Sequence, residues 1–311
     1  MDFIILVAGL VGLWLGTELT IGGALAIARR HRLSEFIVGL LILSIGSDLP
    51  ELAVAIDAGL SGLAGMDASG VVVGTTIGSV VTQIGFVMGI AAVISKLTLP
   101  RVFLTKHGAV LLVATVLLFL VGLDGMVGRS EGLILITFYV VYVIALVAGG
   151  KPPDHEHDAF AFGGWRSWLL LTLGLATVII SSDFTVKSVV SLAEAFEVSQ
   201  AIIAVLVIGL GTSLPELSIS IAAILKQRTE LSVGNIIGSN VLDTLLPVGI
   251  AAVLSPVWFE RSLLVFDLPY VFILTTCVLL LFAIRKGLGR AEGIAVLAIY
   301  ASYVAIKLTQ L

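Results

Sequence analysis

Four acidic residues stand where so apolar a chain should have none. Asp48 and Glu51 lie in LSIGSDLPELAVAI (Leu43–Ile56), Glu216 in VIGLGTSLPELSISI (Val207–Ile221) and Asp243 in VGNIIGSNVLDTL (Val233–Leu245). An ionisable side chain at membrane depth is costly and marks a site that faces a cavity or a partner. Pro50 and Pro215 stand immediately before the two glutamates. Proline has no N–H to donate and disrupts the turn before it, which frees carbonyls. Broken backbone is tolerated inside a bilayer only where it lines a cavity or is packed in protein. Carboxylates, freed carbonyls and the hydroxyls of Ser47, Thr212 and Ser213 together make an all-oxygen environment. Hard cations such as Ca²⁺ take about 6–8 oxygen ligands, and Na⁺ similarly favours oxygen. The lack of nitrogen and sulfur donors argues against Zn²⁺ or Cu⁺.

A second arm accompanies each phrase. Ser239 and Asp243 are four residues apart and share a helix face, and their counterparts in VGTTIGSVVTQIG (Val73–Gly85) are Ser79 and Gln83. Gly74, Gly78, Gly234 and Gly238 supply small residues at the spacing that lets membrane helices approach closely. The expected pocket therefore offers Glu51, Glu216, Asp243 and Gln83, framed by hydroxyls. Asp48, three residues before Glu51, shares its face if the turn is helical. Two carboxylates that close cannot both ionise cheaply without a cation between them, so Asp48 could add a cation site or carry a proton.

The elements that must position these residues are membrane helices. Of 311 residues, 59% are hydrophobic and 12% charged, with mean hydropathy +1.16. Soluble domains carry roughly 25% charged residues. Apolar runs are continuous rather than alternating, which excludes an outer-membrane barrel and leaves an all-α membrane protein whose surroundings are a lipid bilayer, with no nucleic-acid partner. Periodicity predicts ten spans near 2–27, 34–63, 68–95, 102–122, 130–149, 166–194, 198–226, 230–255, 263–284 and 290–308. With both termini outside, thirteen basic residues fall on inner connections, against Arg129, Arg261 and Lys307 outside, as the positive-inside rule demands. The start, MDFIILVAGLVGLWLG, has no basic segment and reads as the first span rather than a cleavable leader. Cys277 stands alone, so no disulfide framework exists. The loop at 151–158, with His155 and His157, reads as a solvated linker. Glu18 and Asp183 read as structural, the latter with Lys187 four residues on.

The chain also repeats itself. An offset of 165 positions sets Glu18 against Asp183 and Gly46–Glu51 against Gly211–Glu216. After a longer connection in the first half, Val73–Gly85 aligns with Val233–Leu245. Residues 1–150 then form one repeat and 166–311 the other, joined by a short cytoplasmic linker at 151–165. Five spans per half is an odd number, so the second half enters the membrane from the opposite side. Two inverted five-helix repeats are a mark of secondary transporters.

GTSLPE followed by GNIIGSNVLD resembles the second α-repeat of the sodium/calcium exchangers, within the Ca²⁺:cation antiporter superfamily, and GSDLPE with GTTIGSVVTQ resembles a diverged first repeat. The resemblance implies ten helices, exchange of Na⁺ for Ca²⁺ by alternating access with helices one and six sliding against the other eight, and no cofactor beyond the transported ions. By position it implies Glu51 and Glu216 as central Ca²⁺ ligands. Ser47, Thr212, Ser79 and Ser239 would serve flanking Na⁺ sites with carbonyls near Ser44 and Gly209, and Asp243 and Gln83 would occupy the middle. A multi-pass plasma-membrane location and a monomer sufficient for transport follow. The first phrase departs from the family pattern, which has serine at Asp48 and commonly asparagine at Thr75, Val80 and Gln83. That departure opens an alternative, an H⁺- or K⁺-coupled divalent-cation exchanger of the same fold. The family's work is transport, so no enzyme chemistry is expected. An intramembrane aspartyl protease would need paired aspartates in a G-x-G-D setting, and the one glycine-flanked candidate, Asp124, falls in an outer loop.

Overall fold

The computed structural model describes residues 2–31, 33–149, 164–195, 211 and 213–310. Their helices are α1 (Asp2–His31), α2 (Glu35–Ser47), α3 (Leu49–Leu63), α4 (Ser69–Ile94), α5 (Arg101–Val121), α6 (Arg129–Gly149), α7 (Gly164–Ala195), α8 (Leu214–Leu225), α9 (Thr229–Leu254), α10 (Leu263–Arg285) and α11 (Arg290–Gln310). Eight are long and apolar enough to cross a membrane, and the α2–α3 pair makes a ninth span bent by 46°. Each expected span starts and ends within a few residues of one of these helices. The exception is the seventh, whose first half lies outside the described residues while its second half is α8.

Two connections are stitched by short pairings. Strand β1 (Met126–Val127) pairs antiparallel with β2 (Val257–Trp258), tying the α5–α6 connection to the α9–α10 connection. Leu97 and Leu288 bridge the α4–α5 connection to the α10–α11 connection, with N–H···O distances of 2.8 and 2.9 Å. The first pairing joins two loops expected outside, the second two loops expected inside, so the helices run in mutually consistent directions.

Glycine decides how closely the helices meet. Lipid tails are as apolar as leucine, so membrane helices associate through packing of small residues rather than through a hydrophobic drive. In α1, Gly9 lies against Thr185 and Ser181, Gly16 against Val178 and Gly174, and Gly23 against Leu171 and Ser167. The numbers rise on one helix as they fall on the other, so α1 and α7 are antiparallel with backbones in near contact. This pair meets the rest of the molecule through a small core of its own that includes Ile21, Leu43, Leu171, Val178 and Ile219, separate from the large core around α4, α5, α9 and α10. An ion pair, Lys226 Nζ to Glu18 Oε2 at 2.5 Å, adds a polar tie from α1 to the end of α8. As expected, Asp183 pairs with Lys187 in its own helix, at 2.8 Å.

The tightest approach is between α2 and α9, and it sets the site. A β-carbon at Gly238 would overlap the Leu40 carbonyl, one at Gly234 the Phe36 carbonyl, and one at Gly39 the Leu231 carbonyl. Gly234 and Gly238 thus do what their spacing promised. Gly74 does not: a β-carbon there meets none of the described residues within 4 Å. The middle of α2 is a π-helical stretch, Val38–Leu43, and α4 contains another, Thr82–Val87. Such wide turns concentrate at functional positions. Farther out, buried Asp267 joins α10 to α11 by accepting from Tyr303 Oη at 2.7 Å and Lys307 Nζ at 3.1 Å.

Because the obstacle at Gly238 is backbone, overpacking there cannot be relieved by a rotamer change. Gly238→Ala is expected to cost about 1–3 kcal/mol and to lower the thermal unfolding midpoint in detergent. Gly22→Ala, on a helix face with none of the described residues within 4 Å, is expected to leave the midpoint unchanged or slightly raised.

Candidate cation-binding site

Glu51 and Glu216 are presented in the same local setting. At Asp48 the backbone leaves helical geometry (φ −84°, ψ 5°), and α3 begins at Leu49 with Pro50 in its first turn. At Ser213 the same thing happens (φ −91°, ψ 7°), and α8 begins at Leu214 with Pro215 in its first turn. Neither proline can donate to the carbonyl four residues back, that of Gly46 or Gly211. Glu51 and Glu216 fall in the first turns of α3 and α8. There the positive end of the helix dipole favours an anion.

The two glutamates meet. One carboxylate oxygen from each of Asp48, Glu51 and Glu216 lies within 4.8 Å of the other two, and all three residues are buried. Glu51 and Glu216 have both oxygens without a hydrogen-bond partner, and so does Asp48 Oδ2; Asp48 Oδ1 faces the Ser47 hydroxyl at 3.4 Å. Two unit charges about 5 Å apart repel by roughly 3 kcal/mol at an effective dielectric near 20. Three ionised carboxylates would therefore hold on the order of 10 kcal/mol of mutual repulsion. The desolvation of each adds to that. A bound cation or a shared proton would offset these costs, and no basic side chain among the described residues pairs with the three converging carboxylates.

Beside this triad lies a second, internally bonded group. Asp243 Oδ2 accepts from Ser79 Oγ at 2.9 Å and from Gln83 Nε2 at 2.9 Å. Gln83 Nε2 also reaches Ser79 Oγ at 3.0 Å, and the Ser79 and Ser213 hydroxyls are 3.3 Å apart. Asp243 Oδ1, Gln83 Oε1 and Ser239 Oγ are buried without partners. Gln83 sits inside the π-helical stretch of α4.

Of the residues singled out in the sequence, Asp48, Glu51 and Glu216 converge, and Asp243, Gln83, Ser79 and Ser213 form the adjoining network. Ser47 and Ser239 are buried with them. Ser44 is differently occupied: its hydroxyl donates to Leu40 O at 2.5 Å, and its carbonyl accepts the Asp48 N–H at 3.0 Å and faces the Ser47 hydroxyl at 3.3 Å. Gly209 and Thr212 lie outside the described residues, as do His155 and His157. Sequence reasoning passed over Asn235 and Asn240, both buried on α9 with an unpartnered Oδ1, although they stand in the quoted motif. It also passed over Tyr139 of α6, which lies within electrostatic reach of Asp48 and Asp243. A single tyrosine on an apolar helix carries no local signal of that kind.

Comparison with known proteins agrees with this geometry. The family model described as sodium/calcium exchanger protein matches residues 1–148 and 166–309. CaxA of Alkalimonas amylolytica, named as an antiporter, is 32% identical over 313 residues, covering 96% of each chain. The sodium/calcium exchanger MaX1 of Methanosarcina acetivorans is 25% identical over 348 residues, covering 98% of each. A solved structure of the sodium-calcium exchanger NCX_Mj, soaked with 2.5 mM Na⁺ and 0.1 mM Ca²⁺, superposes with a TM-score of 0.83 at 27% identity, over 98% of this chain and 97% of that one.

Since Ser79 and Gln83 donate to one and the same oxygen, their contributions should not add. Ser79→Ala and Gln83→Leu are each expected to cost about 1.5–3 kcal/mol, the range for hydrogen bonds to a charged group. The double variant should cost less than the sum, as read from unfolding midpoints in detergent.

Proposed function

The chain belongs to the sodium/calcium exchanger family, a family of transporters rather than enzymes, and we propose that it exchanges Na⁺ for Ca²⁺ across the plasma membrane by alternating access. The observation that carries this reading is the buried convergence of Glu51 and Glu216, from the first turns of two helices that start alike, with their oxygens unpartnered among the described residues. Oxygen-only donors suit Ca²⁺ and Na⁺. Glu51 and Glu216 hold Ca²⁺ at the centre, and the hydroxyls of Ser47, Ser79, Thr212, Ser213 and Ser239 serve Na⁺ around it. The transported ions are the only ligands required. One chain contributes both glutamates, so a monomer suffices.

Ten spans in two inverted repeats, 1–150 and 166–311 about a cytoplasmic linker at 151–165, complete the reading, with both termini outside. Its supports are the matched geometry at Asp48 and Ser213, the separate family-model matches to the two halves, and the basic residues on the predicted inner loops. Alternating access then requires one part to move against the rest. The α1–α7 pair suits that role because its two helices pack backbone to backbone on each other and meet the remainder through a small core of their own.

One observation favours a second reading, in which K⁺ or H⁺ takes part in coupling. Asp48 stands in the carboxylate cluster itself, where the family pattern has serine. It adds a negative charge that a further monovalent cation or a proton can balance.

Uptake of radiolabelled Ca²⁺ into proteoliposomes distinguishes these readings. An outward Na⁺ gradient alone is expected to drive uptake, and Glu51→Gln or Glu216→Gln to reduce it at least about tenfold, the equivalent of 1.4 kcal/mol or more. Uptake that needs K⁺ or a pH gradient, and loses that need in Asp48→Ser, selects the second reading. Absence of Ca²⁺ transport under every gradient would refute both.

A further inference from the structure

We infer that the divalent cation is held by three carboxylates, Asp48, Glu51 and Glu216, and that Asp243 is withdrawn from it by Gln83 and Ser79. This assignment rests on the exchanger reading and adds to it which acids do the binding. Asp243 is as deeply buried as the other three, yet it is not among the carboxylates that converge within 4.8 Å. Asp243 also differs from Asp48 in how firmly one oxygen is held, by two donors at 2.9 Å against a single Ser47 hydroxyl at 3.4 Å. Both described donors to Asp243, Ser79 Oγ and Gln83 Nε2, act on Oδ2 at 2.9 Å, leaving one oxygen free. In the triad, five of six carboxylate oxygens are buried and have no hydrogen-bond partner. A buried acceptor without a donor is costly, and one oxygen from each of the three residues converges within 4.8 Å of the others, a spacing that a multivalent cation can bridge.

Two departures from the family phrase then act together. The carboxylate at position 48 enters the cluster, and at position 83 a glutamine, one methylene longer than the family's common asparagine, donates to the acid at position 243. Charge is added at the break between α2 and α3, and on α9 an existing charge is stabilised by neutral donors. The triad carries a formal charge of three against the two of Ca²⁺, and Asp243 beside it keeps its own, so the loaded site stays negative enough to attract a monovalent cation.

The test is equilibrium Ca²⁺ binding to the purified full-length protein in detergent, by calorimetry, with unfolding midpoints recorded for each variant. Asp48→Asn is expected to weaken binding by about thirtyfold or more, and Asp243→Asn by about threefold or less. An Asp243→Asn loss equal to or larger than that of Asp48→Asn overturns the assignment. Glu51→Gln separates the two levels of inference. If it binds Ca²⁺ like the unmodified protein, the exchanger site itself is wrong. If it loses binding while Asp48→Asn keeps it, only the three-carboxylate assignment fails. Should Asp48→Asn not fold, crystals of the unmodified protein soaked with Mn²⁺ decide. An anomalous peak within about 2.6 Å of an Asp48 oxygen and beyond ligand distance of Asp243 supports the proposal, and the reverse placement refutes it.

Discussion

Mutual repulsion among carboxylates in a dry interior is the constraint around which this molecule is built. Asp48, Glu51 and Glu216 crowd within 4.8 Å in a space that water does not reach, and such an arrangement persists only if something positive shares it. The fold meets part of the cost itself. Glu51 and Glu216 occupy the first turns of helices, where the dipole is favourable, and both helix starts are made by a proline that cannot extend the preceding helix backwards. The rest can come from a bound cation, as proposed, or from a proton shared among the acids. A site that is unfavourable without its ion and favourable with it is suited to transport, since the ion must be both bound and exchanged.

Holding the acids this close requires backbones that approach within contact distance, and glycine supplies that. The α2–α9 contact through Gly39, Gly234 and Gly238 fixes the break at Asp48 against the helix that bears Asp243. The α1–α7 contact through Gly9, Gly16 and Gly23 does the opposite job, binding two long helices to one another more intimately than to the body they lie on. One glycine contact makes the site rigid, and the other makes a separate two-helix unit.

The polar network around Asp243 gives the site its asymmetry. Ser79 and Gln83 come from α4 and Asp243 from α9, so their bonds span the two halves of the chain. Satisfying one acid with neutral donors while leaving three others unsatisfied is an unequal distribution of hydrogen bonds. It divides a set of four similar carboxylates into two kinds without any change in their burial.

Much of this was legible in the residues alone, because it depends on properties local to a segment. Hydropathy over about 20 residues locates a span, and a proline beside a buried glutamate announces a broken helix whatever packs against it. The repeat of GSDLPE and GTSLPE showed that the oddity comes in two copies. What the tertiary structure alone decided is which side chains meet. Nothing in the spacing of Asp48, Glu51, Glu216 and Asp243 tells that the first three converge and the fourth is capped, since that depends on the rotation and separation of α2, α3, α8 and α9. Gly74 and Gly234 occupy matching places in the two motifs, yet only the second has backbone of a described residue against it. Glu18 finds Lys226 across 208 positions of chain. Contacts of that kind are set by how helices are placed in three dimensions, and helix packing is a property of pairs of surfaces that no single stretch of sequence contains.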